Sequence, residues 1–191
     1  MKKNKINLKI TSRQIAVSEM MLERARADLE QNGVEMSGGK AESEDNTFTM
    51  SSEGWLTVDD GRVTVEYDET ELTGMAGATT RLRFDRDNPG LVTMMREGTV
   101  ETVLVFERGK QHICAYRTPY MPFELCVRTY RVVNELLESG FLYLDYTIEI
   151  RGARVERNKF TLEISTDDAH LADLLAHETL PDVPGSENPL Q

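Results

Sequence analysis

TFTMSSEGWLTVDDGRVTVEY, residues 47–67, alternates twice and turns once. Phe48, Met50, Ser52, Gly54, Leu56 and Val58 share one face of an extended chain, and Thr47, Thr49, Ser51, Glu53 and Trp55 share the other. Side chains in a strand point alternately to opposite sides, so this period of two is the mark of a strand with one buried face. Asp59-Asp60-Gly61 then supplies a turn, because Gly61 can take a positive φ. Val63, Val65 and Tyr67 resume the apolar phase opposite Thr64, Glu66 and Asp68. The unit is a hairpin, and most of the chain repeats it.

Upstream, Ile6, Leu8 and Ile10 alternate with polar residues. Downstream, strands are expected over Thr79–Phe84, Leu91–Arg96, Val100–Phe106, His112–Thr118, Phe123–Tyr130, Leu142–Ile150 and around Phe160–Ile164. Asp87-Asn88-Pro89-Gly90, Arg108-Gly109-Lys110 and Thr118-Pro119-Tyr120-Met121-Pro122 are the turns between them. Many short strands at this spacing, with few helical patterns between them, indicate an all-β sandwich or barrel rather than a parallel βαβ sheet. An antiparallel up-and-down barrel of about eight to ten strands explains the short turns best and leaves no exposed sheet edge. Such an interior is either filled by side chains or holds one small ligand.

Two segments break the alternation. Ser18–Gln31 places Leu22, Ala25 and Leu29 on one helical side, with Ser18 as N-cap and Asn32-Gly33 as stop. A flexible loop, 37–45, follows it, so that 17–45 forms a helical and flexible insertion after the first strand. Thr166 caps a second helix over 166–178, with Leu171, Leu174 and Leu175 as the stripe that packs on the barrel wall. Residues 179–191, with three prolines, are expected to be disordered. The sequence therefore reads as one barrel domain over 1–165, a C-terminal helix and a tail.

The 191 residues carry 22 Lys plus Arg against 33 Asp plus Glu, a net charge of −11. Residues 17–45 hold eight acids and three bases, and residues 165–191 hold six acids and no base, whereas the rest of the chain is neutral as a whole. The acidity thus belongs to two appendages. It solubilises a neutral body or forms an interaction arm for a protein partner. A broad basic surface for nucleic acid is excluded by the balance. No apolar run approaches the ~18 residues of a membrane span, and the basic start MKKNKINLKI has no apolar stretch behind it, so a cytoplasmic protein is expected. Two cysteines make no disulfide framework, and free thiols are expected there.

Four stretches between Thr47 and Ser165 carry a family resemblance: Phe48–Gly54; Tyr67–Met75 followed by Gly77–Thr80; Met95–Gly98; and Phe106–His112 followed by Tyr116–Tyr120 and Phe123-Glu124. In order and spacing they resemble the YwiB-like family, small bacterial proteins of unknown function. The resemblance implies a calycin-like, that is lipocalin-like, β-barrel and brings no established activity, so no catalytic residue is carried over. Met121-Pro122 stands where the family usually has a glycine after the Thr118-Pro119-Tyr120 turn.

The hairpin around Tyr120 holds the candidate site. If its turn is symmetric about Tyr120, His112 lies opposite Arg128, Cys114 opposite Cys126 and Tyr116 opposite Glu124, all on one face, and Ile113, Ala115, Leu125 and Val127 form the apolar face. Three readings compete for the polar face. It is a solvent-side set of cross-strand pairs; or a ligand site in which His112 and Arg128 bind an anionic group and Tyr116 and Glu124 orient it; or a catalytic site with His112 as base and Glu124 tuning it. No nucleophile elbow or oxyanion donor accompanies the last, so no catalytic residue is assigned. No metal ligand set is expected, since there is no C-x-x-C and His170 and His177 are seven residues apart, and no phosphate-cradling glycine motif calls for a nucleotide cofactor. The expected role is binding of a small molecule by a non-catalytic barrel, as monomer or homodimer, with a protein-interaction scaffold as the alternative.

Overall fold

The computed structural model describes residues 2–16, 46–117, 121–150 and 155–165. Ten strands run in chain order: β1 Lys2–Ala16, β2 Asn46–Asp59, β3 Arg62–Asp68, β4 Thr79–Asp85, β5 Asn88–Glu97, β6 Glu101–Glu107, β7 Gln111–Arg117, β8 Pro122–Glu135, β9 Phe141–Ile150 and β10 Val155–Ser165. Each pairs antiparallel with its neighbour in sequence, and β1 pairs with both β2 and β10, so the meander closes into a barrel without an edge. The helices expected over 18–31 and 166–178 and the tail 179–191 lie outside the described residues. A 3-10 turn, Glu71–Thr73, interrupts the β3–β4 connection.

Outside β7, the apolar phases read from the sequence face inward. Leu8, Ile10, Leu56, Val63, Val65, Leu82, Leu144 and Leu162 are all buried, and Trp55, on the opposite phase of β2, is exposed beneath the Lys3 ammonium. Leucine, isoleucine, methionine and phenylalanine side chains from all around the wall meet as one cluster through the middle of the barrel. The lumen there is packed core. Burial of each large apolar side chain stabilises the fold by roughly 1.5–3 kcal/mol.

Local chemistry shifts some boundaries. The β4–β5 turn sits at Arg86-Asp87, because Asp85 pairs with Asn88, and Pro89 and Gly90 already belong to β5. A bulge between Thr129 and Arg131 inverts the parity of β8: Val127 and Thr129 are buried before it, and Val132 packs on the core after it.

The two ends of the barrel differ. Tight turns close one end at β2–β3, β4–β5, β6–β7 and β8–β9. At the other end lie the β3–β4 and β5–β6 connections, and the strand ends that bound 17–45, 118–120 and 151–154. We call it the loop end.

Gly54 shows how closely the wall is packed. It stands on the inward phase of β2, and a Cβ there would lie 2.6 Å from the Glu66 carbonyl oxygen and 2.7 Å from Leu8 Cδ1. Backbone cannot yield as a flexible side-chain tip can, so Gly54→Ala should destabilise by about 1–3 kcal/mol. A urea unfolding midpoint equal to wild type would show that the β1–β2–β3 contact is looser than described.

Candidate functional site

At the loop end the inward phase turns polar. On β3, Val63, Val65 and Tyr67 point inward, and Glu69 follows one residue beyond the strand. On β5 the series is Val92, Met94, Arg96, and on β9 it is Leu142, Leu144, Tyr146. Strand alternation therefore carries a carboxylate, a guanidinium and two phenols into the barrel, each two residues past a core side chain. Asn158 joins them from β10.

Glu69 and Arg96 form an ion pair, with Arg96 Nε 3.3 Å from Glu69 Oε1. The Glu69 side chain is 1% exposed and that of Arg96 13%. The Thr80 hydroxyl donates to the same carboxylate oxygen. The Glu69 amide is tied to the Ala78 carbonyl at 2.8 Å, which fixes the chain as it leaves β3. Burial works against the Arg96 charge, but the Tyr67 and Tyr146 phenols and the Glu69 carboxylate outweigh it and hold its pKa above the ordinary value. Burial, reinforced by Glu69, pushes the Tyr67 phenol well up, and burial raises Tyr146. Both phenols are neutral at neutral pH and available as hydrogen-bond donors. The Tyr146 ring packs on Phe106, centroids 4.7 Å apart.

These groups border a cavity of about 120 Å³, whose lining includes Ile10, Ser12, Phe48, Tyr67, Glu69, Arg96, Tyr146, Ile148, Asn158 and Phe160. A site for a small ligand combines an apolar lining with a few placed polar groups, and this cavity has both. Among the described residues no group of three or more His, Cys, Asp or Glu is placed to hold a metal ion.

The hairpin expected to form the site is arranged differently. His112 pairs with Val127, Cys114 with Leu125 and Tyr116 with Phe123, while Gln111 pairs with Arg128 and Ala115 with Glu124. The register is one residue away from symmetry about Tyr120. A slip of one moves a whole strand's side chains to the opposite face. Burial explains the choice: Leu125 and Val127 enter the core beside Cys114, which the symmetric turn would have set across from Cys126. His112, Cys114 and Tyr116 consequently lie on the inward phase, and Glu124, Cys126 and Arg128 on the outer one. Ile113, assigned to the apolar face, is 76% exposed. The two cysteines point to opposite sides and are free thiols.

The four candidates are therefore not one constellation. Arg128 is exposed and donates to Gln111 Oε1 at 2.9 Å, and Glu124 is exposed on the same outer face. His112 sits at the tight-turn end, with Nε2 3.8 Å from Glu107 Oε2. Tyr116 is the one that shares a face and an end with the cavity: it pairs with Thr102, which pairs with Arg96. Sequence reasoning did not single out Glu69 or Arg96, because a charged residue where a strand runs out carries no signal of burial by itself. Their signal was parity, since each continues the core phase of its strand. Both also fall within the stretches that carry the family resemblance, Tyr67–Met75 and Met95–Gly98.

The phenols give this geometry a measurable signature. Their pKa values are raised in the folded state, so the unfolded chain ionises first as pH climbs. Stability from this source is intact below the unfolded value near 10 and is lost as pH rises above it. In an ultraviolet titration of the six tyrosines, Tyr67 and Tyr146 should resist ionisation until alkaline unfolding, and Tyr67→Phe and Tyr146→Phe should each flatten the alkaline loss of stability. Six phenols titrating together near pH 10 would contradict the buried placement.

Comparison with known proteins agrees with the barrel. Residues 34–162 match the model of a domain of unknown function, DUF1934. The crystal structure of the YwiB protein from Bacillus subtilis superposes with a TM-score of 0.56 at 18% identity, covering 86% of this chain and 94% of that one, a likeness of fold. No curated protein matches the sequence. The family match spans more than half the chain, and it includes Tyr67, Glu69, Arg96 and Tyr146, so the chain belongs to the DUF1934 family, whose barrel the YwiB protein shares.

Proposed function

We propose that this barrel binds a small molecule at its loop end and does no chemistry on it. The observation that carries the reading is the cavity beside the Glu69–Arg96 pair: buried polar groups converge on a space of about 120 Å³ at the mouth of an otherwise filled barrel. Buried ionisable groups in a cleft are the usual mark of a functional site, because a purely structural interior is more cheaply made apolar. The closed up-and-down plan is also that of calycins, which carry ligands at the same kind of opening; this is an analogy of fold.

Native mass spectrometry of the protein as isolated, followed by denaturing release, tests this reading. The expected result is a stoichiometric small adduct. Ser12→Phe, which puts a ring into the cavity away from the ion pair, should abolish the adduct while the barrel stays folded. A bare mass for the wild-type protein, or an adduct indifferent to Ser12→Phe, would overturn it.

A further inference from the structure

The Arg96 guanidinium narrows the choice of ligand. Its Nε is engaged by Glu69, but among the described residues nothing hydrogen-bonds its two terminal nitrogens, although the side chain is only 13% exposed. A guanidinium has five N–H donors, and those that Glu69 does not take are open to the space of the cavity. Tyr146, on β9, adds a phenol held in its donor form by burial, likewise without a hydrogen-bond partner among the described residues. Asn158, on β10, offers an amide whose hydrogen bond, to the Glu156 carbonyl, is long at 3.5 Å. All three border the same cavity. The charged acceptor is already spent, since Glu69 accepts from both Thr80 and Arg96, and the other acceptors of the lining, on Ser12, Gln14 and Thr73, are neutral. What the cavity lacks is an acceptor with negative charge.

Its other walls set the rest of the molecule. Ile10, Phe48, Ile148 and Phe160 are apolar, and the volume is about 120 Å³. An engineered apolar cavity of ~150 Å³ takes benzene, so the ligand has only a handful of heavy atoms. A nucleotide is too large, and a cation would meet Arg96.

Resting on the reading that this cavity binds a small molecule, we propose that its ligand is a small monocarboxylate, with the carboxylate on the Arg96 terminal nitrogens and the Tyr146 hydroxyl and the hydrocarbon part against Ile10, Phe48 and Phe160. Charge-assisted hydrogen bonds of this kind are roughly twice as strong as neutral ones, which makes charge rather than shape the main discriminator.

The test is a methyl NMR titration that follows Ile10 and Ile148 with three probes on one isopropyl frame: isobutyrate, its shape-matched amide isobutyramide, and the cation isobutylamine. Isobutyrate should give saturable shifts at least about tenfold tighter than the amide, a modest demand for a charge-assisted contact, and the amine should give none. Arg96→Met alone strands a buried carboxylate and endangers the fold, so the informative variant is Arg96→Met with Glu69→Leu, which removes both charges. It should bind acid and amide alike, and Tyr146→Phe should weaken isobutyrate more than the amide, because the bond to the charged acceptor is the stronger. Equal affinity for acid and amide in the wild-type protein overturns the carboxylate proposal while the binding reading stands. Tighter binding of the amine overturns it in favour of Glu69 as the recognising group. No saturable shift with any probe overturns it too, and only a bare native mass would then take the binding reading with it.

Discussion

A sheet that closes on itself has one inside, and every side chain on it is assigned to that inside or to solvent by parity. The ten-strand meander closes through β1, which pairs with β2 on one side and β10 on the other. Closure satisfies every strand edge at once and couples the strands, because a slip anywhere would turn a strand's apolar phase outward. The core follows from this constraint: Leu8, Leu56, Val65, Leu82, Met94, Leu104 and Leu144 come from seven different strands and meet in one cluster.

The same constraint makes the loop end chemically distinct. Glu69, Arg96, Tyr67 and Tyr146 obey inward parity just as the leucines do, but they sit where the strands run out. An ion pair in such a place is held at the cost of desolvating two charges, and it tolerates loss of both partners far better than loss of one. Outside the barrel, charge has a different character. Lys3, Glu66, Arg81 and Glu97 form a ladder across the outer surface, with contacts of 3.0, 2.7 and 2.6 Å, and these partly solvated pairs contribute little each. Asp145 lies between, buried at 6% and gripped by both the Nε and an Nη of Arg157 at 2.8 Å.

Most of the architecture was legible because alternation is local. Residues 47–67 predict two strands, their faces and their turn, and each of these is present. Register across β7 and β8 was not legible, because it depends on loop parity. A connection centred on Tyr120 and one centred half a residue earlier are equally compatible with the residues between Arg117 and Phe123, and only burial of Leu125 and Val127 decides between them. That half residue divides His112 and Tyr116 from Glu124 and Arg128. The cavity was overlooked for a related reason. A charged residue at a strand end is usually solvated, so the sequence alone gives Glu69 and Arg96 no reason to be singled out. Their inward parity was visible, but the closure that makes parity decisive is a property of all ten strands together.

The Glu69–Arg96 pair lies inside the barrel, and a double-mutant cycle on stability tests that placement most directly. For a buried pair, Glu69→Leu and Arg96→Met should each cost about 3–5 kcal/mol, and the double variant should cost less than either, because it leaves no unmatched charge in the interior. Single losses below about 1 kcal/mol that simply add would be the behaviour of an exposed pair and would contradict the account.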